Sequence, residues 1–541
     1  MNDSLMTMVE LATPATLPAT EPEVRLVNCF DRPLDNAIAA ARTCYSARGV
    51  VTPEEVAGEG LGEAERGERE ARRNALARDL YRAGHHTTFQ HVHLQYVLDR
   101  VSRQFIWSFL HAHPFYNSEQ VSQRYVEVKP DAFYVPPLPA AARERYLAVA
   151  RRQIEDYQAL ADALEPPVAA EFYRIFPARA RQPERWAKSI EKRAIEVARY
   201  VLPVATLSRL YHTISAITLL RYHRLAAQYD APYEQQQVVS RMVAELLRLD
   251  PGYAEVIEEP FALEDTIEHR FYTAHHVPSP ADHRAFVEEF DRELGDLTSR
   301  LVARKPDNEA VLARSVREVL GLPLAQLDDD AAIALVLDPA QNHYLGDSLN
   351  VTSMSKLARC LVHPSYTFIK RLSHAADSQD QRHRATPGSR PCLPAYLGND
   401  PDVVVPVLVA ADDRIRRRYE ESLAATWEGI AAVRRLGAPD EFAAYLLPNA
   451  VALRFTESAD LSGLRHKLEM RLCYNAQEEI WQASVDEARQ IAAVEPRIGQ
   501  HLLPPCTVRL RAGTRPICPE GKRFCGVRVW DLPVSAYERL I

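Results

Sequence analysis

The chain has 541 residues, 47% hydrophobic and 26% charged. That mix excludes a fibrous protein, a disordered one and a single small module, and at about 150 residues per domain it leaves room for two large units or three to four smaller ones. A net charge of −8 gives no general attraction for nucleic acid or an anionic membrane, so a phosphate-bearing ligand has to be held by arginines gathered in one place. Eight cysteines in a chain this long do not resemble a secreted disulfide framework, which points to the reducing cytoplasm. The longest apolar run, Val403 to Ala411, has nine residues and contains Pro406, against about 20 for a membrane helix. Neither a membrane span nor an export signal is expected.

Residues 1–23 are polar and dotted with Ala, Thr and Pro, and read as a disordered tail. Glu23 to Val27 alternates like a strand, and Leu34 to Ser46 has helical spacing, giving a βα opening. Residues 51–75 are highly charged with four glycines and read as a solvated insertion or exposed helix start. Helical patterns follow at Leu76–Ala83, Val101–His111, Arg143–Ala163 and Pro183–Val201. A proline-punctuated stretch near 260–345 connects to a second set, with a strand expected over Asp402–Ala410 and helices over Arg414–Arg435 and Leu461–Ala493.

The two sets repeat. Val197-Ala-Arg-Tyr-Val-Leu-Pro203 and Arg209 return as Ala443-Ala-Tyr-Leu-Leu-Pro448 and Arg454, at a constant offset of 245 residues. The expected organisation is a first domain over 24–265, a connection that also opens the second copy over 266–344, a second domain over 345–505 and a cysteine-containing tail over 506–541, in a helix-rich α/β (α+β) fold.

Two segments carry candidate chemistry. In the second copy Gln379, Arg382 and His383 stand at i, i+3 and i+4 near the end of an expected helix, with Arg384 about 200° round from Arg382, so that two ligands could be gripped at once. The plain alternative is that these cations only complement a helix dipole. In the first copy Ser122 and Arg124 project to one side if the chain after Tyr116 is extended, and a hydroxyl beside a guanidinium suits a phosphate.

Taken together, these segments resemble the flavin-dependent thymidylate synthases, whose signature is Arg-His-Arg, seven residues, then Ser-x-Arg-Tyr. Ala41-Arg-Thr-Cys-Tyr-Ser46, Gly84 to His91, Arg199 before Tyr-Val-Leu-Pro and Leu468 to Ile480 look like that family too. The chain thus reads as two tandem copies of the family domain, with the signature split between them. The first copy has Ala112-His113-Pro114 for Arg-His-Arg, and the second has Cys392-Leu393-Pro394 for Ser-x-Arg. The phosphate arginine matches Arg199 and Ala444, and the pyrimidine-facing arginine matches Ala226 and Arg471.

The resemblance implies methylation of deoxyuridine monophosphate (dUMP) to dTMP, with methylenetetrahydrofolate as carbon donor and NADPH as reductant, through FAD. It implies one composite site. Ser122, Arg124, Arg199 and Gln379 would hold the nucleotide, with Arg382 touching nucleotide and flavin. Arg471 would stabilise charge on the uracil ring, and His383, Arg384, His466, Ser46, Thr87 and Gln120 would contact FAD. A homodimer of four domains is expected, with no nucleic-acid or membrane partner. The alternatives are a non-catalytic relic of the fold that binds nucleotide or flavin, and an enzyme acting on another pyrimidine nucleotide. His501, Cys506, Cys518 and Cys525 have a zinc-ligand composition but no Cys-x-x-Cys pair, so no metal is expected there.

Overall fold

The structure is a computed structural model that describes residues 16–17, 19–111, 113–227, 230–275, 279–398, 401–539 and 541. In the first half the strands are β1 (Thr16–Leu17), β2 (Glu23–Cys29), β3 (His93–Ser102), β4 (Asn117–Gln120), β5 (Leu138–Pro139) and β6 (Leu207–Ser215). The second half contributes β7 (Ser299–Arg304), β8 (Ser365–Ser373), β9 (Gly388–Ser389) and β10 (Ala452–Asp460). Two four-stranded antiparallel sheets result, ordered β2-β3-β6-β4 and β7-β8-β10-β9. Each strand of one has its counterpart in the same place in the other, which is the repeat seen as architecture.

In both halves the second strand runs straight into a helix, Arg103–His111 after β3 and His374–Asp380 after β8. The serine at each junction caps the turn: Ser102 Oγ accepts the Phe105 N–H at 2.8 Å and Ser373 Oγ the Ala376 N–H at 3.0 Å. Each serine hydroxyl donates to a buried glutamate, Glu234 at 2.6 Å and Glu479 at 2.5 Å. These glutamates are again 245 apart, and burial pushes each up to about 7.

The halves meet about a local twofold. Pro203 faces Pro448 in an antiparallel bridge. Val204 N–H donates to Leu447 O and Asn449 N–H to Leu202 O, both at 2.8 Å. Ala205 N–H reaches Tyr445 O at 2.9 Å and Ala450 N–H reaches Tyr200 O at 2.8 Å. One apolar core spans the junction, with Trp107, Tyr146 and Leu202 from the first half and Tyr419, Leu447 and Ile480 from the second. Helix Asp413–Arg435 approaches helix Ala140–Ile175 so closely that a Cβ on Gly429 would lie 2.5 Å from Val149 Cγ2, so only glycine fits there.

Several sequence expectations change. Asp402–Ala410 is not a strand. Val403 makes a single bridge to Val451, and Pro406, with no N–H to donate, caps the helical turn Val407–Ala410. Of the expected tail 1–23, residues 1–15 and 18 lie outside the described residues. Thr16–Leu17 pairs with β5, whose edge offers free backbone groups, and ahead of β5 Thr20 N–H bonds Val135 O at 2.8 Å. Within 266–344, read as the connection and the start of the second copy, the second sheet opens at Ser299. The helix expected over Leu461–Ala493 is two, Leu461–Arg471 and Glu478–Val494, the second capped by Gln477 Oε1 accepting from Ile480 N–H at 3.1 Å.

Candidate active site

The first half-site is the turn after β4. The strand stops at Gln120, and Ser122 bends the chain: its Oγ accepts the Arg124 N–H at 3.2 Å, and its carbonyl accepts from Tyr125 and Val126. A side chain that competes for backbone donors in this way ends the extended run that the sequence suggested. Arg124 is held at both ends of its guanidinium. Nε donates to Glu196 at 2.6 Å, and Nη2 donates across the junction to Asn475 O at 2.9 Å. Arg199 closes helix Pro183–Ala198 and is buried, with Nε on Glu196 O at 3.1 Å and Nη2 without a partner. Burial lowers the Arg199 pKa while Glu196 opposes it, and Arg124, Arg193 and Arg199 hold Glu196 below the ordinary carboxylate range against the upward push of its own burial.

The second half-site follows helix His374–Asp380. Arg382, His383 and Arg384 lie in the turn just beyond it, so helical spacing no longer governs where they point. Arg382 and Arg384 do not diverge as expected. Arg382 Nη2 reaches both Glu119 carboxylate oxygens at 2.9 and 2.8 Å, while Arg384 donates to Pro114 O at 3.1 Å and to Asn117 Oδ1 at 3.3 Å. Both guanidiniums therefore cross to the first half, onto and just ahead of β4. Arg471 Nε donates to His383 Nε2 at 2.7 Å, and its Nη2 to Gln379 O at 3.2 Å. His383 accepts at Nε2 and so is neutral, with its proton on Nδ1. Burial, then the Arg471 cation, keeps its pKa well below the usual histidine value. His466 stands 6.2 Å from the His383 ring and pairs with Asn350 at 3.3 Å.

These halves converge within one chain. The Arg471 cation feels both Arg124 and Arg382, and burial brings it down to about 10. An open cleft of about 900 Å³ is lined by Tyr116, Glu119, Gln120, Arg382 and Arg384, and a separate groove of about 1540 Å³ by Arg124, Tyr125, Lys192, Asn475 and Arg523. Gln120 accepts from Arg103 at 2.8 Å. Ser46 and Thr87 are not brought in. Ser46 lies in a separate hollow with Tyr45, Arg48 and Leu80, and Thr87 is exposed on the short turn His86–Gln90.

Sequence reasoning missed Arg103, Gln123, Asn449 and Asn475. Asn449 Nδ2 ties Gln123 Oε1 at 3.3 Å to Arg199 O at 3.1 Å. The signal was present, because Asn449 occupies the repeat position of Val204, a polar side chain in place of an apolar one. At the reverse pairing Ala226 and Ala444 are buried alanines, and Ala112 lies outside the described residues. Asp230 accepts from Leu393 N–H at 3.0 Å there, setting a carboxyl group beside the Cys392-Leu393-Pro394 segment. His501 lies apart from the tail cysteines in its charge environment, which is Asp338 and Arg511; burial lowers it to about 4.

Two sheets of identical strand order, joined across the Pro203–Pro448 bridge, define a duplicated domain architecture. The chain belongs to the thymidylate synthase complementing protein family, whose family model matches it twice, at residues 25–252 and 300–497. It is similar to the flavin-dependent thymidylate synthase of Geobacter sulfurreducens, 32% identical over 169 residues, or 31% of this chain and 70% of that one. The enzyme of the same name from Clostridium tetani is 26% identical over 233 residues, 42% of this chain and 84% of that one. Among solved structures, a UMP/dUMP methylase PolB from Streptomyces cacaoi bound with 5-Br dUMP is 23% identical over 44% of this chain and 94% of its own, at a TM-score of 0.30, too weak a likeness to add to the family match. Among the described residues no helix is long and apolar enough to cross a membrane.

Proposed function

We propose that this chain methylates dUMP at one composite site between its two halves, with FAD as cofactor, methylenetetrahydrofolate as carbon donor and NADPH as reductant. The observation that carries the reading is the junction at Arg471. Arg471 is tied to the Arg-His-Arg turn through His383 and Gln379, and four residues further on the carbonyl of Asn475 receives Nη2 of Arg124 from the other half.

The donors present fit two phosphorylated ligands. Arg199 Nη2 and Gln123 Nε2 are buried donors without partners, which a phosphate would satisfy together with Ser122 and Arg124. Arg382 and Arg384 sit at the mouth of the cleft on exchangeable, solvent-facing partners, as residues that take a flavin phosphate chain must. FAD, when bound, supplies the redox chemistry. The protein's own part is positional and electrostatic. Arg471 offers fixed positive charge to the uracil ring as negative charge develops there, and neutral His383 holds the Arg471 guanidinium in place through Nε2. Gln120 lines the cleft, Gln379 receives Arg471 through its carbonyl, and His466 would approach the flavin from beside the His383 ring. A second chain, giving four domains, would bring Ser46 and Thr87 to the flavin.

The test is the purified protein. One FAD and one dUMP per chain, with tritium released from C5-labelled dUMP when folate and NADPH are added, are the expected results. Two tightly held flavins per chain, or no flavin after reconstitution, would refute the composite site.

A further inference from the structure

The groove of about 1540 Å³ is built from three parts of the chain. The end of helix Ala140–Ile175 and one face of helix Pro183–Ala198 bring Phe176, Trp186 and Lys192. Arg124 and Tyr125 come from the turn after β4, next to Asn475 of the second half. The C-terminal segment closes the remaining side with Lys522, Phe524 and Arg539, and since the family match ends at residue 497, this wall lies outside it. The wall is fixed at both edges. Asn475 Nδ2 donates to Arg523 O at 2.7 Å, Arg539 Nη1 to Ala476 O at 2.8 Å, and Glu538 N–H to the Tyr474 hydroxyl at 3.1 Å. Towards the first half, Gly526 has φ +91°, and a Cβ there would lie 2.5 Å from Ile175 Cγ2 and 2.6 Å from the Phe176 ring, so only glycine lets the segment come this close. The C-terminal segment therefore bridges the two halves along the groove.

Its charge is opposite to that of the chain. The whole carries −8, yet among the described residues lining the groove arginines and lysines outnumber carboxylates eight to four. Three of those carboxylates are already engaged. Glu196 holds Arg124 at 2.6 Å and Arg193 at 3.7 Å, Glu171 holds Arg174 at 2.6 Å, and Glu520 holds Arg523 at 3.2 Å. Lys192 and Lys522 make no ion pair among the described residues. Aromatic surface stands beside these cations. Tyr125 is 51% exposed, with the Lys192 ammonium 6.0 Å from its ring centre, and the Arg179 guanidinium stacks 3.5 Å from Phe176 and 4.1 Å from Trp186. Unmatched cations in a concave site concentrate anions there, and aromatic faces add stacking for a planar ring.

We propose that this groove binds an aromatic polyanion, a ligand with a planar ring and two or more negative charges, through Lys192 of the first half and Lys522 of the C-terminal segment. Two sources share that chemistry: the p-aminobenzoyl and glutamate tail of a folate, and a nucleoside triphosphate acting as an effector. The inference rests on the proposed function at one residue. Arg124 lines the groove and, on that reading, also holds the dUMP phosphate, so the groove ligand and dUMP each alter the other's affinity by the same factor.

The experiment is calorimetric titration of the full chain with ATP, with tetrahydrofolate monoglutamate and with tetrahydrofolate pentaglutamate. Binding of ATP, or of the pentaglutamate more tightly than the monoglutamate, is expected, and it should weaken as salt rises. The double variant Lys192→Ala, Lys522→Ala should lose about tenfold or more of that affinity, while Lys192→Arg, Lys522→Arg keeps it and dUMP binding without a probe is unchanged in both. A pentaglutamate preference erased by the alanine variant assigns the groove to the folate tail, and ATP binding erased by it assigns a nucleotide. Gly526→Ala, which pushes the wall off Ile175, should lower the same affinity. Wild-type protein that binds dUMP but neither binds ATP nor prefers the pentaglutamate, or a probe affinity that the alanine variant leaves unchanged, overturns the inference and leaves the composite site standing. Probe binding that depends on the two lysines in a protein unable to bind dUMP supports the groove and refutes the composite site instead.

Discussion

Beneath the Arg-His-Arg turn of the second half lies a buried ionic cluster, and beneath the matching place in the first half lies an aromatic one. Lys370 Nζ contacts Asp380 at 3.0 Å and Glu457 and Glu487 at 2.9 Å, and Lys467 pairs with Glu457 and lies 3.4 Å from Glu487. By repeat and strand register, their counterparts are Leu98, Phe109, His212, Tyr222 and Met242. There Phe109 packs on Tyr222 at 4.3 Å and on His212 at 5.3 Å, and His212 meets the Tyr222 hydroxyl at 3.1 Å. The same backbone therefore tolerates either filling. Apolar packing is the cheaper one, since buried ions carry a desolvation cost that their attraction barely repays. The second half keeps its charges where Asp380 acts on His383 and Arg471, and the first half, with Ala226 for Arg471, has nothing there for a buried carboxylate to orient.

The comparison breaks most visibly at Lys467. Lys467→Met leaves three buried carboxyl groups with one ammonium and should cost about 3–5 kcal/mol of stability. Its counterpart Tyr222→Phe removes one hydrogen bond, worth about 1 kcal/mol. Urea denaturation of both variants checks this, and equal losses would mean that the two fillings are energetically alike.

Next comes Arg471→Ala, which should slow turnover by about 3–4 kcal/mol, the worth of one donor to developing charge, while leaving FAD bound. Ala226→Arg in the other half should restore nothing. Tritium release measures both, and wild-type rates in Arg471→Ala would remove this residue from the chemistry.

Smaller again, Arg199→Ala and Ser122→Ala should each weaken dUMP binding by about 1.5–3 kcal/mol and make what remains less sensitive to salt. The matched changes at the reverse pairing, Ala444→Gly and Cys392→Ala, should leave binding unaltered by calorimetry.

The smallest effect is one the halves share. Glu234 and Glu479 have folded pKa values of about 7, raised above the unfolded value of about 4.3. The folded state therefore holds the extra proton, and the contribution is complete below the unfolded value and lost as pH rises through about 7. Glu234→Gln and Glu479→Gln should each flatten stability between about pH 4.3 and 7 by a similar amount. Unequal flattening would show that the twofold is only approximate in energy.

Much of this was legible because it is local. The helices Arg414–Arg435 and Pro183–Val201 follow from spacing, and the 245-residue offset lets the paired glutamates and prolines be matched. Geometry at helix ends was not. Arg382 and Arg384 were read by helical angle, but the helix stops at Asp380, and their direction is set by acceptors 263 to 270 residues earlier in the chain. The ionic cluster was invisible for a similar reason, as its members are scattered from 370 to 487 and each alone resembles a surface charge. The break at 472–477 also escaped periodicity, because the apolar pattern runs on while Gln477 starts a new helix.

The four backbone hydrogen bonds around Pro203 and Pro448 carry a consequence for dilution. Where two half-sites sit on separate polypeptides, their pairing follows protein concentration. Here a tether makes it unimolecular, with an effective concentration set by the chain itself. A junction so tethered stays assembled at nanomolar protein, and what it demands instead is the entropy of closing one long loop, a cost that grows by only about 0.6 kcal/mol for each doubling of loop length.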